Sequence, residues 1–310
     1  MDDTITDLMP YMRESRAMLP DTLRLGPVRL AVTDLNRAVD FYGDVIGLQV
    51  SRRGIEGVYN VAHLSAGGPG MEDVVVLQHE PGARSAREHA RHSGLYHVAL
   101  NYPTRLELAR TARRIVETRT PIQGASNHKT HEAIYLADPD GNGLELAWDF
   151  PREQWPTTLA RLFSEGRGPL DWDGLLALTA GESALPAAPG LRVGHLHLHV
   201  GNLPRARNFY VDLLGFELQM DVGNAAFTSA GRYHHHLGFN TWRGEGAGPA
   251  PADVAGLREW RIYLPDSSDV DAARMRLEAG GVHVTFAGSD AFTTADPWGI
   301  PLYVGLDPAR

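Results

Sequence analysis

Hydrophobic and polar positions in the middle of the chain follow the pattern of strands that flank one helix. Residues 95–102, LYHVALNY, predict a strand, and Thr104 with Glu107 forms the capping box that is typical of a helix start. The apolar residues that follow recur at helical spacing until Pro121. Two further strand patterns, AIYLAD and LELAWD, flank a turn at 139–142. This stretch is therefore predicted to be one strand–helix–strands unit.

The same plan recurs along the chain, which indicates duplication. Residues 34–50, DLNRAVDFYGDVIGLQV, and residues 202–218, NLPRARNFYVDLLGFEL, share seven identical positions at a constant offset of 168. A final unit repeats the strand, the helix and the Asp-Pro turn, with its helix near 268–279. The sequence thus predicts an α+β fold of four βαβββ modules, numbered 1 to 4 in chain order.

These modules divide the 310-residue chain into two halves. We expect an N-terminal extension over 1–23 and a first domain with modules 1 and 2 over 24–150. A linker with five prolines over 151–190 leads to a second domain with modules 3 and 4 over 191–310. The Gly/Ala/Pro stretch 243–256 predicts a long loop.

Composition narrows the classes of function. The formal net charge of −9 disfavours nucleic acid and anionic membranes as partners. The chain has no cysteine, which excludes disulfide scaffolds, thiolate metal sites and cysteine nucleophiles. It has no apolar run long enough for a membrane helix and begins with acidic residues unlike a signal peptide, so a cytoplasmic location is expected. Its 14 histidines are its most unusual feature.

Several histidines share strand faces. Alternation along residues 193–200 places His195, His197 and His199 on one face and aliphatic residues on the other. His97 occupies a similar position on the predicted strand 95–102. A single strand histidine is more often structural, but three on one face favour a metal site.

A second candidate feature is the run from His128 to Glu145, HKTHEAIYLADPDGNGLE. Its Asp and Asn residues imitate the start of a calcium-binding EF-hand loop. That interpretation fails because Pro139 interrupts the loop and a strand pattern follows instead of a helix. Glu145 lies between leucines with Trp148 nearby, so it is expected to face the interior. A buried carboxylate needs a partner, and a cation is the simplest one.

This run, H-x5-I-Y-x2-D-P-x-G-x3-E, resembles the signature of extradiol ring-cleavage dioxygenases, with Ser126 as the one departure. The helix text FYxDxxG and the four-module plan resemble the vicinal-oxygen-chelate superfamily, which includes glyoxalases, bleomycin-resistance proteins and dioxygenases. GHLHLHV at 194–200 and YHHHLGFNTW at 233–242 resemble its two-domain catechol 2,3-dioxygenase branch. The resemblance extends over nearly the whole chain.

The resemblance implies where a metal would bind. In this superfamily paired modules form incomplete mixed β-barrels, and ligands come from the first and last strands of the paired modules. The matching positions of modules 1 and 4 hold residues that do not complete such a site: Pro27, Glu259 and Tyr303. Modules 2 and 3 together supply His97, Glu145 and His195. This implies one non-haem Fe(II) site at the junction of the halves, with Mn(II) as the alternative metal.

The resemblance also implies residues that handle substrate and protons. His128 and Tyr135 match signature residues that contact substrate oxygens in the family. His235 matches a catalytic histidine, and a pKa near neutrality would let it accept and later donate a proton. Strand alternation would turn the residues on either side of His235 to the opposite face. Three more histidines are expected just outside the direct contacts: His197, His234 and His236.

The expected activity is cleavage of a catecholic ring beside its two hydroxyls by O2, which gives a 2-hydroxymuconic semialdehyde-type product. The partners would be a small aromatic diol and O2, with a homo-oligomer left open. One alternative is a metal-dependent isomerase or thiol transferase of the glyoxalase or fosfomycin-resistance kind, which commonly uses a second Glu. Another is a drug-sequestering protein of the bleomycin-resistance kind, which would leave the three ligand candidates without a joint purpose.

Overall fold

The structure is a computed structural model that describes residues 18–86, 91–156, 168–182 and 185–309. Most of the predicted N-terminal extension and parts of the predicted linker lie outside these residues. Each of the four predicted modules contains one strand, one helix and three further strands in that order. The predicted α+β class and the four-module plan are therefore confirmed.

The first half begins with a short strand, β1 (Arg24–Leu25), and continues with modules 1 and 2. Module 1 consists of β2 (Val28–Val32), α1 (Leu35–Phe41) with a π-helical turn (Tyr42–Ile46), β3 (Gln49–Glu56), β4 (Tyr59–Ser65) and β5 (Asp73–His79). Module 2 consists of β6 (Gly94–Asn101), α2 (Arg105–Glu117), β7 (Gly124–Asn127), β8 (His131–Ala137) and β9 (Gly143–Asp149).

The second half follows a 3-10 turn (Arg152–Gln154) and the short helix α3 (Trp172–Ala177). Module 3 consists of β10 (Arg192–His199), α4 (Leu203–Arg207) with a π-helical turn (Asn208–Leu213), β11 (Glu217–Asp221), β12 (Ala225–Ser229) and β13 (Leu237–Asn240). Module 4 consists of β14 (Leu257–Leu264), α5 (Ser267–Ala279), β15 (Thr285–Phe286), β16 (Ala291–Ala295) and β17 (Pro301–Leu306). None of the described helices is both long and apolar enough to span a membrane.

The two long helices begin close to the predicted positions. Helix α2 starts after Thr104, whose hydroxyl oxygen accepts the backbone N–H of Glu107 at 3.2 Å, as the capping box predicts. Helix α5 spans Ser267–Ala279 and ends at Gly280, close to the predicted range 268–279. Each long helix follows the first strand of its module and precedes that module's last three strands.

The strands form two open mixed sheets, and each sheet takes one module from each half. The 2–3 sheet has the order β11-β12-β13-β10-β6-β9-β8-β7 and joins modules 3 and 2. The 1–4 sheet has the order β15-β16-β17-β14-β2-β5-β4-β3, with β1 beside β14, and joins modules 4 and 1. In the centre of each sheet the first strands of two modules pair antiparallel, β6 with β10 and β2 with β14. Neither sheet closes on itself, which agrees with the predicted incomplete barrels.

Within each half, one repeated contact joins the two modules. The hydroxyl of Tyr42 donates to Asp138 Oδ2 at 3.3 Å, and the hydroxyl of Tyr210 donates to Asp296 Oδ2 at 2.8 Å. Both aspartates are buried at the start of the repeated Asp-Pro turns, and burial raises the pKa of Asp138 to about 6. The repeated tyrosines and Asp-Pro turns therefore serve the fold. Two arginines repeat in the same way and donate to carbonyls at the ends of the π-helical turns: Arg114 and Arg276.

Candidate metal centre

Three side chains from neighbouring strands of the 2–3 sheet converge on one point. His195 lies on β10, His97 on β6 and Glu145 on β9, and these strands are adjacent in that order. Glu145 Oε2 lies 3.0 Å from His97 Nε2 and 3.2 Å from His195 Nε2. All three side chains are buried. The structure thus brings together the three residues proposed as metal ligands, His97, Glu145 and His195, which are called the triad below.

Two β-bulges direct the histidines toward this point. Along the β6–β10 pairing, Gly194 is an extra residue in β10 and Tyr96 is an extra residue in β6. Each bulge directly precedes one of the two triad histidines, and each of these histidines is the seventh residue before the N-cap of the next helix. A bulge bends its strand and changes the direction of nearby side chains. Modules 2 and 3 therefore present their histidines in equivalent, approximately twofold-related ways.

The donor set fits a divalent first-row transition metal. Ligand atoms that lie about 2.1 Å from one ion and at right angles to each other are about 3.0 Å apart. The distances from Glu145 Oε2 to the two imidazole nitrogens match that value. His97 Nδ1 and Nε2 are buried and make no well-aligned hydrogen bond among the described residues, as expected of a group that awaits an ion. Burial disfavours ionised Glu145, but His195 and the surrounding hydrogen bonds hold the pKa of this carboxyl well below its usual range.

A position for a fourth ligand, related to Glu145 by the approximate twofold symmetry, holds a glycine. Strand β9 pairs with β6 through Glu145 and Ala99, and β13 pairs with β10 through Gly238 and His197. Gly238 is therefore the module 3 counterpart of Glu145. The ring of His197 fills the space beside it, because a Cβ at position 238 would lie 3.0 Å from His197 Nδ1. No second carboxylate faces the triad from this position.

His128 and Tyr135 form a hydrogen-bonded pair beside the triad. Tyr135 Oη lies 2.8 Å from His128 Nε2. The register of β8 places Tyr135 directly opposite Glu145, and its ring centroid lies 5.7 Å from that of His97. Both side chains are partly exposed. Polar groups in this position can contact a molecule bound next to the triad.

The three consecutive histidines do not alternate as the sequence suggested. They lie in a turn before β13, so strand periodicity does not apply to them. The ring centroids of His235 and His234 lie 4.1 Å and 5.6 Å from that of His195. His236 instead accepts a backbone N–H at its Nδ1 and does not join the triad. The expectation that His234 faces away from His235 is wrong because the turn places both rings near His195.

The protonation of His235 also differs from the expectation. Desolvation holds the pKa of His235 well below its usual range, and the nearby His195 and His234 lower it further. A cation at the triad would act in the same direction. His235 is therefore a neutral imidazole that can accept a proton, whereas a pKa near neutrality was expected. The sequence could not show how closely the imidazoles crowd together.

Sequence reasoning missed His131, although it lies within the run from His128 to Glu145. His131 Nε2 donates to Glu145 Oε1 at 2.9 Å, and its Nδ1 lies 2.8 Å from Thr130 Oγ1. Because a carboxylate only accepts, His131 donates from Nε2, and in the neutral ring Nδ1 then accepts from the hydroxyl of Thr130. His131 therefore holds the Glu145 oxygen that faces away from the two triad histidines. The signal was strand alternation, which puts His131 on the same face of β8 as Tyr135.

Asp149 is a second residue that sequence reasoning missed. Its Oδ1 lies 3.2 Å from His234 Nε2, and its Oδ2 accepts from the hydroxyl of Tyr233 at 2.7 Å and from Asn101 Nδ2 at 2.8 Å. Burial opposes ionisation, but the hydrogen bonds from His234 and Tyr233 hold the pKa of Asp149 well below its usual range. Alternation along β9 places Asp149 on the same face as Glu145, which is the signal that could have found it.

Asn240 fixes the orientation of the predicted outer residue His197. The backbone N–H of Trp242 donates to Asn240 Oδ1, which identifies the oxygen end of this amide. Asn240 Nδ2 therefore donates to His197 Nε2 at 2.9 Å, and Oδ1 also lies 2.8 Å from His199 Nδ1. His197 consequently carries its proton on Nδ1, beside Gly238.

Comparisons with known proteins give this architecture a family. The sequence pattern of the Glyoxalase/Bleomycin resistance protein/Dioxygenase superfamily matches residues 24–146 and 192–301. A curated relative, the catechol-2,3-dioxygenase of Bacillus subtilis strain 168, is 34% identical over 278 residues. The matched region covers 88% of this chain and 93% of the relative.

Solved structures share the same fold. A candidate dioxygenase from Bacillus subtilis matches with a TM-score of 0.62 at 14% identity, over 95% of this chain and 87% of that chain. Glyoxalase I from Zea mays matches with a TM-score of 0.56 at 17% identity, over 92% of each chain. At such identities the likeness shows the fold alone. The sequence pattern and the curated relative together establish that the chain belongs to the Glyoxalase/Bleomycin resistance protein/Dioxygenase superfamily.

Proposed function

We propose that this chain is a metal-dependent dioxygenase that cleaves a catecholic ring beside its two hydroxyls. Fe(II) is the proposed metal, held by His97, Glu145 and His195, and Mn(II) suits the same donors. The Bacillus subtilis relative carries the name of this activity. No reductant is needed, because both atoms of O2 enter the ring-opened product, a 2-hydroxymuconic semialdehyde when catechol is the substrate.

The observation that carries this proposal is Gly238, the glycine at the module 3 position equivalent to Glu145. Because Gly238 offers no ligand, His97, Glu145 and His195 would hold an ion from one side and would leave positions for two substrate oxygens and O2. A second carboxylate at that position would hold the ion from both sides, as is common in the isomerase or thiol-transferase alternative. A drug-sequestering protein, in turn, has no need of a buried triad. The residues at this site therefore favour the dioxygenase.

The chain's own residues would bind and orient the diol. A bound Fe(II) would supply the redox chemistry that lets triplet O2 react with a closed-shell catechol. Tyr135 and His128, which lie 2.8 Å apart, can hydrogen-bond to a catechol oxygen and help it lose its proton. His197 lies beside His97, with ring centroids 5.3 Å apart, and offers its Nδ1 proton from the module 3 side.

The diol must also release a proton to a base near the triad. His235 is placed for that role because its ring lies 4.1 Å from that of His195. It would accept the proton when the diol binds and return it to the product. His235 is thus proposed as the general base and acid of the reaction.

Anaerobic reconstitution with Fe(II), followed by catechol and air, tests the proposal. We expect stoichiometric O2 uptake and a yellow ring-opened product from the wild-type protein, and neither from Glu145→Ala. A thiol adduct of a 2-oxoaldehyde serves as the substrate of the alternative class. Iron-loaded protein that consumes no O2 with any catechol tested, or that turns over the thiol adduct instead, would contradict the dioxygenase.

A further inference from the structure

Asp149, His234 and His235 form a hydrogen-bonded chain that ends beside the triad. His234 Nε2 lies 3.2 Å from Asp149 Oδ1, and His234 Nδ1 lies 2.9 Å from His235 Nδ1. We infer that this chain fixes the tautomer of His235, so that its Nε2 carries the lone pair that receives the diol's proton. Asp149 and His234 are then positioning residues. The inference rests on the proposed function only for the identity of the proton donor.

The direction of the chain follows from its carboxylate end. An ionised carboxylate can only accept hydrogen bonds, so His234 must carry a proton on Nε2. The His234 side chain is buried and stacks on the ring of His131, a place that disfavours a second proton on its ring, so its Nδ1 is an acceptor. The close contact between the two Nδ1 atoms then requires His235 to donate from Nδ1. The lone pair of His235 is left on Nε2.

The carboxylate itself is held on its other side. The hydroxyl of Tyr233 and the amide of Asn101 both donate to Asp149 Oδ2, at 2.7 Å and 2.8 Å. Only Oδ1 therefore faces His234. Asp149 is on β9, the strand that also carries Glu145. One strand therefore supplies both a proposed metal ligand and the first member of the hydrogen-bonded chain. The position of Asp149 on a regular strand thereby determines which nitrogen of His235 carries the proton, although His235 itself lies in a turn.

The remaining histidine of the run provides a matched control. His236 accepts a backbone N–H from Ala230 and stacks on Phe216, with ring centroids 6.4 Å apart. It has no hydrogen bond to Asp149, His234 or His235 within the described residues. His236→Phe therefore alters a neighbouring histidine without removing a hydrogen bond of the Asp149–His234–His235 chain.

The tautomer can be measured in the metal-free protein by ¹⁵N NMR with labelled histidine. In the wild type we expect the proton of His235 on Nδ1. In Asp149→Asn, the donors Tyr233 and Asn101 should keep the amide oxygen of residue 149 on their side. The amide NH2 would then face His234 and donate to its Nε2, which reverses the direction of every hydrogen bond in the chain. The proton of His235 should then move to Nε2. The same protonated nitrogen in both proteins, or Nε2 already protonated in the wild type, would overturn the inference.

Kinetics of the iron-loaded protein supply the second readout. We expect Asp149→Asn to lower kcat by about a hundred- to ten-thousand-fold, the range for loss of a general base or of its correct tautomer. KM for catechol, iron content and melting temperature should stay unchanged, and His236→Phe should match the wild type throughout. An unchanged kcat, or a parallel loss of iron and kcat, would overturn the positioning role. If the wild type cleaves no catechol, the proposed function fails, and NMR still decides the tautomer.

Discussion

The two sheets are built from equivalent modules but use their central positions differently. In the 2–3 sheet, His97 and Glu145 point their ligand atoms at a common place. In the 1–4 sheet, the equivalent positions hold Glu259 and Tyr303. Arg261 donates to Glu259 Oε1 at 2.7 Å and lies over the Tyr303 ring at 4.8 Å. The positive charge beside Glu259 is therefore supplied by the guanidinium of Arg261, and this carboxylate needs no metal ion as a partner.

The 1–4 sheet also contains a histidine, His63, whose two ring nitrogens contact carboxylates. His63 Nδ1 lies 2.6 Å from Asp73 Oδ2, and its Nε2 lies 2.8 Å from Glu56 Oε1. Arg52 also lies 3.1 Å from the same Nδ1, so both ring nitrogens already have polar partners within this sheet. Histidine and carboxylate are present together in both sheets, but among the described residues only the 2–3 sheet brings three such donors within reach of one ion.

The strongest test of this comparison removes the triad. His97→Ala, Glu145→Ala and His195→Ala should each lose bound iron and turnover, because each removes one of three donors. Glu259→Ala, at the position equivalent to His97, should retain both. Elemental analysis and O2 uptake measure the outcome. Full iron occupancy in Glu145→Ala would show that the centre is assembled from other residues.

The second test separates proton transfer from metal binding within the 2–3 sheet. His235→Phe should keep iron and still bind catechol, but its turnover should fall by about a hundred- to ten-thousand-fold. Turnover of His234→Ala and of His236→Ala shows whether either neighbouring histidine, instead of His235, transfers the proton. Near wild-type turnover in His235→Phe together with a severe loss in His236→Ala would reassign the role to the other residue.

The third test concerns the tyrosine–aspartate contact that both halves share. The pKa of Asp138 is raised by burial from 3.8 to about 6, so the folded protein binds this proton more tightly than the unfolded chain. The associated stability is present below the unfolded pKa and is lost as pH rises through about 6. Relative to Asp138→Asn, the wild-type free energy of unfolding should fall by about 3 kcal/mol across this window. Denaturant titrations at several pH values measure it, and a pH-independent difference would contradict the raised pKa.

The smallest expected effect comes from the support of Glu145 by His131. His131→Phe keeps the ring shape but removes the donor to Glu145 Oε1, and should weaken Co(II) binding by about 10- to 100-fold. Thr130→Val, which removes only the hydroxyl behind the ring, should act in the same direction and less strongly. Titration of the metal-free protein measures both. A loss as complete as that of His97→Ala would make His131 a ligand, and no loss would remove it from the site.

The sequence predicted the modules and the placement of the triad strands well. Period-two patterns, the repeated helix text and the capping residue Thr104 are local signals, and the strands that they predict are present. The pairing of modules 2 and 3 could be inferred once the family resemblance implied that paired modules share a site, because Pro27, Glu259 and Tyr303 leave no other complete set. These features depend on residue type and spacing, which a single sequence displays.

Other features depend on tertiary geometry and could not be predicted in the same way. The turn that carries His234 and His235 interrupts strand alternation, and the bulge at Tyr96 adds a residue that no local pattern marks. The role of Gly238 emerges only from the pairing of β13 with β10. His131 and Asp149 acquire partners through neighbouring strands, so their functions follow from register.

The placement of modules in the two sheets also sets an order of assembly during synthesis. The 2–3 sheet uses consecutive strands from β6 to β13, whereas the 1–4 sheet must join Leu30 to Leu257, more than two hundred residues later in the chain. Chains emerge from the ribosome N-terminus first, and distant pairings form slowly. We expect the triad to be complete while module 4 is still being translated. A nascent chain would then carry the assembled triad while its first module still has an open strand edge.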